Sequence, residues 1–129
     1  MAGRFLLDTN IVIALFAADA SVQAHLKAAT EVFVPSVVLG ELYYGARKSG
    51  RPGDNIKRVD DFAGASVVLA CDAATATNYG QVKDGLRTKG RPIPENDIWV
   101  GALALQYGLT LVSRDTHFNE VTGLVLEVW

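Results

Sequence analysis

Four carboxylates in this sequence, Asp8, Glu41, Asp97 and Asp115, fall at positions from which they could converge on one metal-binding site. Asp8 ends the apolar run Phe5-Leu6-Leu7, and Asp115 follows Thr110-Leu111-Val112 after Ser113 and Arg114. Asp97 lies at the start of a helical pattern. Glu41 has Val37, Val38, Tyr44 and Gly45 at helical spacing, so no cation on its own helix can pair with it. That apolar face should pack inward, and a buried carboxylate needs a metal, a distant cation or a proton. Oxygen donors without His or Cys among them suit a hard divalent cation, Mg²⁺ or Mn²⁺, better than zinc. Each acid also has a plainer reading. Asp8 can cap a helix, Asp97 can complement a helix dipole, Asp115 can be a turn residue, and Glu41 can pair with a remote base. All four in one chain favour a shared site.

The elements that must position these acids follow from hydrophobic periodicity. Short apolar runs at 5–7, 32–34, 66–69, 110–112 and 124–128 read as strands. Between them lie helical patterns over 11–17, 21–29 with Ser21 as cap, 36–48 with Ser36 as cap, and 54–64 with Asp54 as cap. Further helices cover 72–89, capped by Asp72, and 95–107, closed by Gly108. Loops fall at 49–53 and 90–94. Strands alternating with helices imply an α/β fold, a five-stranded, mostly parallel sheet flanked by helices on both faces. Ligands of such sheets bind beyond the carboxyl ends of the strands, where Asp8 and Asp115 lie.

Length and composition set the frame. The 129 residues, half of them hydrophobic, suit a single domain over 1–129 with ample core. Cys71 is the one cysteine, which excludes an intrachain disulfide and reads as a small core residue. Asp8 and Asn10 interrupt the apolar N-terminal stretch, so neither a signal peptide nor a membrane span is expected, and a cytoplasmic location is. The net charge of −2 looks wrong for nucleic acid, but setting the four acids aside leaves 12 basic against 10 acidic residues. Candidate phosphate contacts are Lys48, Arg51, Lys57, Arg58, Lys83, Arg87 and Lys89, with Arg91 and Arg114 best placed because they flank the proposed site segments. Tyr43, Tyr44 and Trp99 read as core rather than base-stacking residues, His25 as a surface residue, and His117 as a loop residue that can line the site.

At Leu7-Asp8-Thr9-Asn10, Gly40-Glu41-Leu42, the segment Glu95-Asn96-Asp97-Ile98-Trp99-Val100-Gly101-Ala102, and Ser113-Arg114-Asp115-Thr116-His117-Phe118, the sequence resembles the PIN-domain nucleases, and among them the VapC-type toxins of bacterial toxin–antitoxin pairs. The resemblance spans most of the chain in the family's order. It implies that Asp8, Glu41, Asp97 and Asp115 form the acidic catalytic and metal site. It also implies that Thr9, Asn10, Asn96 and Ser113 support it. Family members often dimerise and are inhibited by a small antitoxin. The function implied is a Mg²⁺- or Mn²⁺-dependent endoribonuclease that hydrolyses RNA with a metal-activated water, leaving 5′-phosphate and 3′-hydroxyl ends.

Rival readings are weaker. A phosphatase of related architecture needs an Asp-x-Asp pair, and Asp8 is followed by Thr9 and Asn10. A response-regulator receiver needs an acidic pair after the first strand. A metal-independent ribonuclease would have to use His25 and His117, which lie far apart in sequence. A catalytically weak metal- or RNA-binding module of the same fold, or another Mg²⁺-dependent phosphoester hydrolase, remains the alternative.

Overall fold

The computed structural model describes residues 3–129. β1 (Arg4–Leu7) leads through Asp8 into α1 (Thr9–Phe16) and α2 (Ala20–Ala28). β2 (Glu31–Pro35), α3 (Ser36–Arg47), α4 (Pro52–Gly64) and β3 (Val67–Leu69) follow. The long α5 (Ala73–Lys89) packs along α6 (Glu95–Tyr107), which turns at Gly108 into β4 (Thr110–Val112). A 3₁₀ turn, Thr116–Glu120, and β5 (Leu126–Glu127) complete the order.

The sheet runs β3-β2-β1-β4-β5, and all four pairings are parallel. β1 is the central strand. Phe5, Leu6 and Leu7 are all buried, though neighbours on a strand point to opposite faces, so both faces are covered. From β1 the chain builds β2 and β3 on one side and then crosses to lay down β4 and β5 on the other. The order therefore reverses between β1 and β4, the point where open α/β sheets form a ligand crevice. Leu7 stands opposite Val112, and the Asp8 N–H donates to the Val112 carbonyl at 3.0 Å. Asp8 and Ser113 thus leave adjacent strand ends together.

Local chemistry explains most boundaries. Asp72 and Thr75 form a reciprocal capping box at the start of α5. Gly90 and Gly108 close α5 and α6 in the left-handed conformation, at φ 66° and 63°. Other expected caps are replaced. Asp19 rather than Ser21 caps α2, accepting from the Val22 N–H. Ser36 and Asp54 lie inside their helices, after Pro35 and Pro52 respectively; Pro52 opens α4 because the first helical N–H needs no partner. The last strand covers two residues rather than the five expected.

Two side chains expected in the core are outside it. Cys71 is exposed because it lies just past β3, the edge strand, where no further strand covers it. Tyr44 is 67% exposed, since α3 turns Val38, Leu42 and Ala46 inward instead. Tyr43 donates to Asp60 from a half-buried position, and Trp99 stacks on Tyr79 at 4.1 Å. His25 is exposed as expected and stacks on Trp129. Among the described residues, no single helix is long and apolar enough to cross a membrane.

Candidate active site

Asp8 is the most deeply placed of the four acids, at 4% exposure. It stands at the N-cap position of α1, yet its side chain makes no capping bond. Its carboxylate instead accepts from Ser113 Oγ at 2.8 Å and from Asn10 Nδ2 at 3.3 Å. Ser113 Oγ is itself held: it accepts from Asn10 Nδ2 at 3.2 Å and from the Asp115 N–H at 3.0 Å. Asn10 Oδ1 accepts from the Arg114 N–H at 3.0 Å. The ends of β1 and β4 are thereby laced into one polar unit that aims Asp8 and the loop carrying Asp115.

Glu41 comes from the middle of α3 and Asp97 from the first turn of α6. Thr9 Oγ1 donates to Glu41 Oε1 at 2.9 Å, tying α3 to α1. Asp115 opens the 3₁₀ turn and accepts from the His117 N–H. The turn folds His117 back between two acids, with Nδ1 2.8 Å from Asp115 Oδ1 and Nε2 against Asp97 Oδ2. All four acids line one open cleft of about 570 Å³, with Thr9, Asn10, Asn96 and His117. The exposed Asn96 stands at its rim.

The electrostatics follow from crowding acids in a half-buried cleft. Burial pushes the Asp8 carboxyl above its ordinary value of 3.8, and the charge of Asp115 adds to the effect; the bond from Ser113 opposes it. Burial raises Glu41 as well, with Asp8 and Asp97 contributing like charge. Burial raises Asp97, against the lowering effect of its bond to His117. Three acids that resist ionising together in one cleft ask for positive charge.

The donor set fits a hard divalent cation. Carboxylate oxygens dominate it, and ligand atoms of Asp97, Asp115 and His117 all lie within 4.8 Å of one another. His117, which the sequence marks only as a loop residue able to line the site, is one of the residues lining the cleft. Its spacing from Asp115 carried the signal, because a turn over two residues returns the ring toward the acid.

The basic candidates lie elsewhere. Arg114 sits beside the cleft in sequence, but its guanidinium donates to the Trp129 carbonyl at 2.9 Å and to Asp19 at 3.0 Å. Arg91 is exposed on the loop after α5 and does not line the cleft. Lys83 pairs with Glu95, Arg87 with Asp84, and Lys57 with Asp61. Beside the acids lies an apolar recess of about 270 Å³ that shares Ile13 and Glu41 with the cleft and adds Phe16, Leu42, Val59 and Arg58.

The sequence matches the PIN domain family over residues 5–124. It is 36% identical to ribonuclease VapC2 of Haemophilus influenzae, covering 98% of both chains. It is 37% identical to the tRNA(fMet)-specific endonuclease VapC of Shigella flexneri, again over 98% of each. Its fold matches VapBC2 from Rickettsia felis, solved bound to a DNA fragment from their promoter, with a TM-score of 0.88 at 30% identity, covering 97% of this chain and 98% of that one. DNA-bound VapBC from Salmonella typhimurium matches at TM-score 0.89 and 29% identity over 100% and 99% of the two chains.

Proposed function

The chain belongs to the PIN-domain family, and from that premise we propose that it is a metal-dependent endoribonuclease, the toxin of a type II toxin–antitoxin pair, acting as one nuclease domain over its whole length. The observation that carries the site assignment is the placement of Asp8: a buried carboxylate, not used as a cap, anchored by Ser113 and Asn10 at the switch point of the sheet.

In this reading Asp8, Asp97 and Asp115 hold Mg²⁺ or Mn²⁺, and Glu41 completes the acidic set. The bound ion supplies Lewis acidity toward phosphate oxygens and lowers the pKa of water. The chain's own residues do the positioning. Ser113 and Asn10 fix the rotamer of Asp8, and Thr9 fixes Glu41 through Oε1, so that its carboxyl faces the cleft it lines. Asn96, exposed at the rim, presents an amide to the sugar–phosphate backbone. Arg91 remains a candidate phosphate contact at longer range.

RNA is the substrate. Because the Shigella flexneri relative is named for tRNA(fMet), tRNA is the first RNA to assay. The partner is a small antitoxin, as the VapBC complexes among the similar structures suggest. The joint shape of acid cleft and apolar recess fits a peptide that sets an Arg or Lys among the acids and apolar side chains against Ile13 and Phe16. The chain acts as a homodimer in the cytoplasm.

The test is cleavage of tRNA and of total RNA by the full chain in Mg²⁺, in Mn²⁺ and in EDTA. Expected are products with 5′-phosphate and 3′-hydroxyl ends, formed with metal and not with EDTA. Cyclic 2′,3′-phosphate ends with activity surviving EDTA would overturn the reading. Co-expression with the product of the neighbouring gene tests the partner: failure to co-purify or inhibit counts against it.

A further inference from the structure

Resting on the metal-dependent reading above, we propose that His117 is itself a ligand of the divalent ion, adding a nitrogen donor to Asp97 and Asp115 and making the site prefer Mn²⁺ to Mg²⁺.

The His117 ring has an acid on either side. Nδ1 faces a carboxylate oxygen of Asp115 at 2.8 Å, and Nε2 faces one of Asp97. The ring thus brings a nitrogen donor in among two carboxylates, the mixed nitrogen and oxygen set that a divalent transition-metal ion accepts.

The spacing suits a metal. Neighbouring ligands on an octahedral ion, each about 2.1 Å from it, lie about 3 Å apart. The Nδ1–Oδ1 separation is close to that edge length. The candidate ligand atoms of Asp97, Asp115 and His117 share one small volume. They come from two elements, Asp97 from α6 and the other two from the 3₁₀ turn after β4, so the geometry is not a by-product of one helix face.

The position is also built. His117 is half-buried and its ring packs 5.2 Å from that of Phe118, which is 1% exposed and part of the core. The Asp115 side chain accepts the His117 N–H, fixing the turn. A surface histidine such as His25 has none of this acid company.

Ion preference follows from donor type. Water and carboxylate oxygens serve Mg²⁺ and Mn²⁺ alike, whereas imidazole suits transition metals and is a poor exchange for water on Mg²⁺.

The experiment uses the untagged full chain loaded with Mn²⁺ and examined by pulsed EPR, with calorimetric titration of Mn²⁺ and Mg²⁺ alongside. Wild type should show nitrogen modulation from a directly bound imidazole, retained in His25→Gln and lost in His117→Gln and His117→Asn. His117→Gln should weaken Mn²⁺ binding about tenfold and Mg²⁺ binding less than about threefold. If both His117 variants misfold by circular dichroism, the wild-type and His25→Gln spectra decide alone. Mn²⁺ binding without nitrogen modulation overturns the inference and leaves the carboxylate site standing. Equal losses for the two ions, again without modulation, overturn it by making His117 a residue that only positions Asp97. Wild type that binds neither ion and cleaves in EDTA overturns both the inference and the metal-dependent reading beneath it.

Discussion

Ser113 Oγ donates to Asp8 Oδ2 at 2.8 Å, joining residues 105 positions apart at the carboxyl ends of two adjacent strands. The same oxygen accepts from Asn10 and from the Asp115 N–H, so one hydroxyl sets both the rotamer of the buried acid and the path of the loop beside it. Ser113→Ala removes that hub and leaves Asp8 with the longer bond from Asn10. Loss of a bond to a buried charge costs about 1.5–3 kcal/mol of stability. Loss of a group that orients a metal ligand costs about 10–100-fold in metal affinity or activity. Urea melts and cleavage rates across a metal titration check both. An active variant with unchanged metal affinity would show that Asp8 needs no such anchor.

The raised carboxyls make metal-free stability depend on pH in an unusual direction. Asp8, Glu41 and Asp97 bind their protons more tightly in the fold than their ordinary values of 3.8 and 4.5 allow. Their ionisation therefore opposes folding above the raised values, and the opposition is relieved as pH falls through them. Asp19, Asp72 and Glu95 act the other way. Hydrogen bonds hold their carboxyls low, and the stability they contribute is lost only as pH falls below the ordinary range. In EDTA, the urea midpoint should rise as pH falls from neutrality through the raised carboxyl values, and fall again below the ordinary carboxyl range. With saturating Mn²⁺ the rise should disappear, because the ion binds the deprotonated carboxylates. A midpoint that falls steadily from pH 7 in EDTA would mean that the acids are not strained by their crowding.

Arg114 separates a structural role from an RNA contact. Its guanidinium bridges the Trp129 carbonyl and Asp19, and its N–H reaches Asn10. Arg114→Ala should lower the urea midpoint and leave the KM for RNA near that of the wild type. The opposite pattern, unchanged stability with a raised KM and a weaker salt dependence of binding, would place its side chain on phosphate instead.

How far the sequence could be read divides along physical lines. Leu7 and Val112 were legible as strand ends because continuous apolar runs stop at polar residues. Their pairing then dictates that Asp8 and Ser113 meet. Asp72 and Gly108 were legible because capping and left-handed closure are local. Cys71 and Tyr44 misled because exposure depends on which strand lies at the edge and how α3 is rotated, and neither is written in local pattern. Arg114 looked like a site residue by adjacency, but the direction of a long side chain is set by partners 15 and 95 positions away. His117 was half-seen for the converse reason: a 3₁₀ turn brings it back to Asp115 and Asp97, while sequence distance from Asp97 hides the meeting.

A catalytic acid and a structural one respond differently to loss of their charge. Asp8→Asn and Asp97→Asn each remove one charge with little change of shape from a cleft where burial and like charge disfavour ionisation. Without metal, either variant should be as stable as wild type or more so, because the relief of repulsion offsets the weaker bonds of an amide. Cleavage should be abolished. Saturating metal stabilises the fold by linkage, about 2.7 kcal/mol when free ion is ~100 times its Kd. Both variants should gain less than wild type at the same Mn²⁺ concentration. A structural acid behaves otherwise: removing a cap or ion-pair partner costs about 0.5–2 kcal/mol whether or not metal is present. Asp72→Ala provides the comparison, since Asp72 caps α5 far from the cleft in sequence and has no ligand role; it should lower the melting temperature in EDTA and keep the full Mn²⁺ gain. Thermal melts in EDTA and in Mn²⁺, beside an RNA cleavage assay, distinguish the two patterns. If Asp8→Asn and Asp97→Asn behave as Asp72→Ala does, these acids hold the fold together and the metal lies elsewhere.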